Sequence, residues 1–329
     1  MTVDVTVIGS GSWGSAFARH LSRRGHRVQV LSLTAAEAAE LSETRENPSF
    51  LPGVRLPDEL VFAAMQDAEI AGADLIVYAV PTQAVREVAA WVAPQRAPGS
   101  LQLSLAKGYE LGSLQRPTQV IREVTGSPAA ALSGPNHAEE IGRDMPSATV
   151  IASVDMTVAE RLQKAIAGET LRVYTNDDVL GVESCGAMKN PIAVAVGMSD
   201  GLGYGDNSRA ALMTRGLAEV ARLGLAQGAR FETFSGLAGV GDLIATCTSR
   251  HSRNRRAGEL LARGATPAEA AAEVGQVVEG FPTAYALHDL AARYAVEIPV
   301  TENVYEVLEG RRTPSACVAA LMGRVQKRE

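Results

Sequence analysis

Apolar runs of strand length recur through the first half of the chain, at residues 3–8, 27–31, 60–63, 74–80, 101–106, 129–133, 148–153 and 171–174. Between several of them the apolar spacing changes to that of an amphipathic helix, as at 15–24, 83–92 and 113–124. A period of two marks a strand and a period of about 3.6 a helix. Their alternation predicts a largely parallel, doubly wound sheet with helices on its faces. From about Asp177 the strand pattern stops, and helices are predicted at 179–199, 208–227, 255–263, 267–273, 283–294 and 301–309. Thr266-Pro267-Ala268-Glu269 is a clear helix start, with Thr as N-cap, Pro at the first helical position and Glu three residues after the cap. The expected division is a sheet domain over 1–178 and an all-helical domain over 179–329.

The first strand runs into Gly9-Ser10-Gly11-Ser12-Trp13-Gly14 and then a helix. In this context G-x-G-x-x-G predicts a Rossmann-like dinucleotide site: Gly9 for the tight turn, Gly11 for backbone approach to a pyrophosphate, Gly14 for close helix–sheet packing. The helix N-terminus then offers N–H groups to the phosphates. A glycine-rich turn without a ligand would share the spacing alone. The second strand ends in Leu31-Ser32-Leu33-Thr34, with neither the carboxylate that selects NAD nor an arginine that selects NADP. Ser32 and Thr34 suit either cofactor, and Thr34 with Glu37 also reads as a capping box. The choice between NAD and NADP stays open. Pro81-Thr82, Lys107-Gly108 and Gly134-Pro135-Asn136 fall at the carboxyl ends of strands, where such sheets bind ligands, and are expected to line one crevice.

Composition narrows the class. A chain of 329 residues is long for one core and comfortable for two domains. Its net charge of −6 removes the electrostatic case for a nucleic-acid partner, although a local cationic pocket can still take a small anion. Cys185, Cys247 and Cys317 are scattered without metal-ligand spacing and are expected to be buried small hydrophobes; no metal site is predicted. No signal-peptide pattern opens the chain and no apolar stretch has the length of a membrane span, so the expected compartment is the cytosol.

Charge usage picks out the candidate chemistry. Of 31 basic residues only four are lysines: Lys107, Lys164, Lys189 and Lys327. Arginine stays protonated in proteins, whereas lysine can be tuned to exchange a proton. Lys107 follows the run 101–106 and precedes a glycine; Lys189 lies in a long, otherwise uncharged stretch. Both are candidate acids or bases. Lys164 and Lys327 sit in a polar helical pattern and in the C-terminal tail, as solvated residues do.

Two further segments combine small residues with polar donors. One is Cys185-Gly186-Ala187-Met188-Lys189-Asn190, continuing through 201–207; the other is Gly239-Val240-Gly241-Asp242-Leu243-Ile244-Ala245-Thr246-Cys247, followed by Ser252-Arg253-Asn254-Arg255. Ser252, Arg253 and Asn254 are read as an oxyanion site, because arginine matches phosphate geometry through paired N–H groups. Arg255 and Arg256 are read as the solvated start of a helix.

The ordered combination GSGSWG, AKG, SGPNHAEEI, CGAMKN, DGLGYGDN, AGVGDLIATC, SRHSRNR and VVEG resembles bacterial-type NAD(P)-dependent glycerol-3-phosphate dehydrogenase from about residue 3 to beyond 310. The resemblance implies reversible reduction of dihydroxyacetone phosphate to sn-glycerol 3-phosphate with NAD or NADP as cofactor, supplying glycerophospholipid synthesis, and a homodimer. By motif, Ser12 and Trp13 contact the cofactor, Lys107 both cofactor and substrate, Gly134 and Asn136 substrate, and Ala138 cofactor. Lys189 corresponds to the proton-transferring lysine. Asp242, Ser252, Arg253 and Asn254 hold the substrate, Arg253 also reaching the cofactor, and Val277 and Glu279 complete the cofactor site.

Three departures stand out. Leu33 takes a place where the family often has a basic residue. Asn136 replaces a common Ser or Thr. Pro191 follows Lys189-Asn190 and predicts either a kink or a helix that begins there with Asn190 as its cap. Two other readings compete: a 3-hydroxyacid or 6-phosphogluconate-type dehydrogenase, which also joins such a domain to helices and uses lysine, and a dinucleotide-sensing protein that keeps only the fold. SGPNHAEEI with GDLIATC and SRHSRN disfavours the first; the two motif lysines and Asp242 disfavour the second.

Overall fold

The structure is a computed structural model describing residues 2–322, so the expectation for Lys327 falls outside the described residues. The chain divides into two compact units, Met1–Lys107 with Gln115–Glu183, and Gly108–Leu114 with Ser184–Glu329.

The first unit follows β1 (Asp4–Ile8), α1 (Ser12–Arg23), β2 (Arg27–Ser32), α2 (Ala35–Thr44), β3 (Glu46–Asn47), β4 (Leu51–Arg55), β5 (Val61–Ala64), β6 (Leu75–Tyr78), α3 (Val85–Val92), β7 (Leu101–Ser104), α4 (Pro117–Thr125), β8 (Ala130–Ser133), α5 (Ala138–Gly142), β9 (Ser147–Ala152), α6 (Met156–Ile166) and β10 (Leu171–Asn176). Eight strands form one sheet in the order β10-β9-β8-β7-β6-β1-β2-β5, while β3 and β4 pair separately. All neighbours in the large sheet are parallel except β8 and β9, which run antiparallel. Strand alternation divides the core. Val5, Val7 and Val77 pack with Phe17 and Leu21 of α1 and Leu162 of α6, whereas Ile8, Ile76 and Tyr78 pack with Val85, Val88 and Val120 of α3 and α4. That is the expected doubly wound arrangement, and it leaves the carboxyl ends of β1, β6, β7 and β8 on one edge.

Two expectations in this unit need correcting. The helix anticipated from residue 113 begins only at Pro117, with Arg116 extended as its N-cap. Proline fits the first helical position and disfavours a helical conformation in the residue before it. The Thr34 cap is also only half of a box. Thr34 Oγ1 accepts from the Glu37 N–H at 3.2 Å, but the Glu37 side chain turns to Ser10, whose Oγ donates to it at 2.5 Å.

The second unit is helical: α7 (Val179–Gly201), α8 (Asp206–Gln227), α9 (Phe231–Phe234), α10 (Asp242–Thr248), α11 (Arg253–Ala262), α12 (Pro267–Val274), α13 (Gly280–Tyr294), α14 (Pro299–Leu308) and α15 (Pro314–Met322). The helix start expected as one alternative at Pro191 is absent. α7 runs through with Pro191 inside it, although proline gives no N–H to the Ala187 carbonyl. Residues 182–199 are all buried, and packing on every side outweighs the lost bond. α7 and α11 come together backbone to backbone: a Cβ on Gly258 would lie 2.1 Å from the Val194 carbonyl oxygen. Among the described residues no helix is long and apolar enough to cross a membrane. Cys185, Cys247 and Cys317 are free and buried, as expected.

Glu219 of α8 caps α14 from the side. Its carboxyl group accepts from the Val300 and Thr301 N–H groups and the Thr301 hydroxyl, at only 1% exposure. Burial, offset only in part by these bonds, pushes its pKa from 4.5 up to about 7. The folded state therefore holds a proton that the unfolded chain has already released. The resulting contribution to stability is complete below 4.5 and is lost as pH rises through about 7. Urea unfolding of Glu219→Gln should show a weaker decline in stability between about pH 5 and about pH 8 than the parent chain. Parallel curves for the two proteins would show that Glu219 titrates normally.

Candidate active site

In the nucleotide unit the glycine-rich turn has the geometry that its sequence calls for. Gly9 has φ +109°, its N–H donates to the Leu31 carbonyl at 2.9 Å, and a Cβ there would lie 2.4 Å from the Ala79 carbonyl oxygen. A Cβ on Gly14 would meet the Gly9 carbonyl oxygen at 1.9 Å, so turn and helix close against each other. Gly11 caps α1 and has nothing within 4 Å of its absent side chain, which leaves backbone open to a pyrophosphate. Ser12 and Trp13 occupy the first helical turn, and the Trp13 indole N–H is buried without a hydrogen-bond partner. Asn47 braces the turn by donating to the Ser10 carbonyl at 2.6 Å and to Ser15 Oγ at 2.9 Å. These features fit a dinucleotide: cradle, open approach and a helix N-terminus without acidic residues in its first turn.

Two of the three strand-end segments meet. Lys107, beyond β7, donates to the Gly134 carbonyl at 3.0 Å and to Asn136 Oδ1 at 2.8 Å. Asn136 in turn donates to Thr149 Oγ1 at 3.2 Å, and Thr149 donates to the Ser133 carbonyl at 2.9 Å. Thr149 comes from β9, and no local pattern announced it. Pro81-Thr82 lies at the end of β6 on the same edge of the sheet, and Ala138 is buried at the start of α5.

In the helical unit Lys189 is 6% exposed on α7, where its ammonium group donates to Asp242 Oδ1 and, at 2.7 Å, to Thr246 Oγ1. Asp242 and Thr246 stand one turn apart on α10, and Thr246 Oγ1 also lies 3.3 Å from Asp242 Oδ1. A π-helical turn over Leu237–Gly241 leads into α10 and places Asp242 at its start. Single π turns of this kind are frequent at functional sites. Cys247 beside them is no nucleophile, because burial pushes its thiol up to about 12.

The anion segment opens α11. Ser252 is its N-cap, accepting from Arg255 N at 3.2 Å, and Arg253 is exposed at the first helical position. Asn254 is a bridge as well as a donor. Its Oδ1 accepts from Gly280 N at 2.9 Å and its Nδ2 donates to Asn190 Oδ1 at 3.0 Å. Asn190 thus ties α7 to α11 instead of capping a helix. Arg255 departs from the solvated role expected of it: it is part-buried, paired with Asp200 at 2.7 Å and with Glu259 at 2.9 Å. Arg256 is exposed, 3.7 Å from Glu273. Val277 is 46% exposed, and Glu279 stands at the N-cap of α13.

Comparison with known proteins places the chain in a family. Two family models match, the NAD-dependent glycerol-3-phosphate dehydrogenase N-terminus over residues 4–159 and the C-terminus over 178–319. The chain belongs to this family. It is 47% identical to glycerol-3-phosphate dehydrogenase [NAD(P)+] of Moorella thermoacetica, over 100% of this chain and 98% of the relative. The crystal structure of glycerol-3-phosphate dehydrogenase from Coxiella burnetii superposes with a TM-score of 0.94 at 37% identity, covering 98% of this chain and 99% of that one. The enzyme from Saccharomyces cerevisiae follows with a TM-score of 0.80 at 28% identity, over 97% and 99%.

Family membership leaves the energetics of the buried pair to this chain's own residues. An ammonium and a carboxylate out of water depend on each other, and removing one strands the other's charge. Asp242→Ala should cost roughly 3–5 kcal/mol of stability by urea unfolding. The double variant Lys189→Met with Asp242→Leu should recover most of that loss. A single variant as stable as the parent would show that water reaches the ammonium group.

Proposed function

We propose that the chain reversibly reduces dihydroxyacetone phosphate to sn-glycerol 3-phosphate with NADH or NADPH. The observation that carries this reading is the buried Lys189 ammonium, aimed by Asp242 and Thr246, in a chain matched along nearly its whole length by the family. The dinucleotide, held by Gly9, Gly11, Ser12, Trp13 and Gly14, supplies the hydride. Reduction of a ketone also requires a proton for the emerging alkoxide. Lys189 donates it in this direction and takes it back in the other. Thr246 and Asp242 fix the ammonium so that little reorganisation accompanies the transfer.

The phosphate needs several donors at once. The N-terminus of α11 provides its dipole together with Ser252, Arg253 and Asn254, and the Arg253 guanidinium offers paired N–H groups. Binding energy from this remote group orients the reacting carbon. Lys107, steadied by Gly134 and Asn136, adds a cation beside the dinucleotide turn's edge of the sheet. Ala138, Val277 and Glu279 complete the cofactor contacts in this reading. The product suits glycerophospholipid synthesis in the cytoplasm, with the enzyme acting as a homodimer.

Lys189→Met should abolish dihydroxyacetone phosphate-dependent NADH oxidation while dinucleotide binding survives, measured by absorbance and by fluorescence titration. Near-normal turnover would remove Lys189 from the chemistry. Arg253→Ala should raise KM for the phosphate substrate by about tenfold or more, the loss of a charge-assisted bidentate bond, with a smaller effect on the dinucleotide. Unchanged affinity for both would mean that the anion binds elsewhere.

A further inference from the structure

The corner beside the end of β2 carries an answer that the strand itself does not give. In sheets of this kind, a carboxylate near the second strand's end bonds the adenosine 2′-hydroxyl, while an arginine accommodates a 2′-phosphate. β2 ends at Ser32, and the five residues Ser32-Leu33-Thr34-Ala35-Ala36 are uncharged. No lysine or arginine occurs between Arg27 and Arg45. Both of those are engaged away from the corner. Arg27 pairs with Asp4, its register partner at the first residue of β1 and so at the opposite end of the strand. Arg45 donates to the Leu60 carbonyl at 2.7 Å and lies over the Phe62 ring. The neighbouring strand β5, paired through Ser32 and Ala64, continues into Met65-Gln66-Asp67, which adds an acid and no cation.

Toward this corner, whose strand ends and following residues 32–36 carry no cation, α2 turns a carboxylate. Glu37 lies in the first turn of α2, and its side chain reaches back to the glycine-rich loop, where Ser10 Oγ donates to Oε1 at 2.5 Å. Oε2 is left for a second donor. Five residues earlier, at the end of β2, Ser32 is 1% exposed and its hydroxyl is buried without a hydrogen-bond partner. A buried polar group in that state is destabilising unless something bonds it. Leu33, in contrast, is 82% exposed, so its side chain contributes no charge and little packing.

We propose that this corner selects the dinucleotide with a free 2′-hydroxyl, so that the chain prefers NADH to NADPH, with Glu37 as the residue that decides. A ribose hydroxyl donates to the carboxylate. A 2′-phosphate would instead bring a dianion against it with no guanidinium or ammonium to compensate. The acid comes from the helix that follows β2 and not from the strand end, which is why the strand pattern alone shows no selector. This inference rests on the dehydrogenase reading and sharpens its cofactor.

Direct binding tests it on the full chain. NADH and NADPH are titrated separately and followed by nicotinamide fluorescence or calorimetry, without substrate. The expected dissociation constant for NADH is lower by about tenfold or more. Leu33→Arg should tighten NADPH by about tenfold and leave NADH nearly unchanged. Glu37→Gln should weaken NADH and tighten NADPH, with unchanged circular dichroism showing that α2 still folds. Equal affinities, or tighter NADPH, in the parent chain would overturn the preference and leave the dehydrogenase reading intact. Failure of both dinucleotides to bind would overturn both.

Discussion

The helical unit is organised by the cost of keeping one ammonium group dry. Lys189 and Asp242 are both nearly inaccessible, and each ion's desolvation amounts to several kcal/mol unless its partner is held in place. Holding it there constrains two helices at once. α7 must be buried around its whole circumference, which the absence of any charge but Lys189 between Ser184 and Ser199 allows, and α10 must start at Asp242, which the preceding π turn achieves. Thr246 takes a further ammonium proton one turn later on the same face. A residue that could wander would leave a charge unpaired; this one cannot.

The same helix fixes the start of α11. Gly258 lets α11 approach α7 at backbone distance, and Asn254 closes the arrangement by joining Asn190 of α7 to the first N–H of α13. The N-terminus of α11 and the Lys189 ammonium are therefore parts of one rigid packing within this unit. In the proposed reaction that packing would give phosphate recognition and proton delivery a fixed mutual spacing, which is what conversion of a bimolecular encounter into an oriented one requires. Pro191 is tolerated in the middle of α7 because packing, not the backbone ladder, carries that stretch.

Local chemistry made much of this legible in the sequence. Strand and helix periods located the sheet, since alternate positions such as Val5 and Val7 against Ile8 feed opposite cores. The glycine fingerprint named residues whose backbones do close on each other. The lysine bias found Lys189 before any geometry was known. What escaped the sequence depends on distance in space: Thr149 reaching Asn136 across β8 and β9, Arg255 drawn onto Asp200 and away from solvent, and Asn190 turned to Asn254. Thr246 could have been read, four residues after Asp242 on a helix, as the second ligand of the same ammonium. Glu37 was misassigned because a capping box is a local pattern, while the Ser10 hydroxyl that captures its side chain lies 27 residues away.

The two motif lysines illustrate how partners divide the labour of identical groups. Lys107 is oriented by a carbonyl and an amide oxygen, neutral acceptors that fix its direction and leave its charge in place. Lys189 is oriented by a carboxylate, so that the pair as a whole is neutral. A neutral pair exerts little long-range attraction on an anion. In the proposed reaction this would leave the Lys189 proton for an oxygen whose charge develops only in the transition state. Replacing either lysine by arginine would keep the cation and lose the distinction. A guanidinium in the place of Lys189 would still satisfy Asp242, but it holds its protons too tightly to release one.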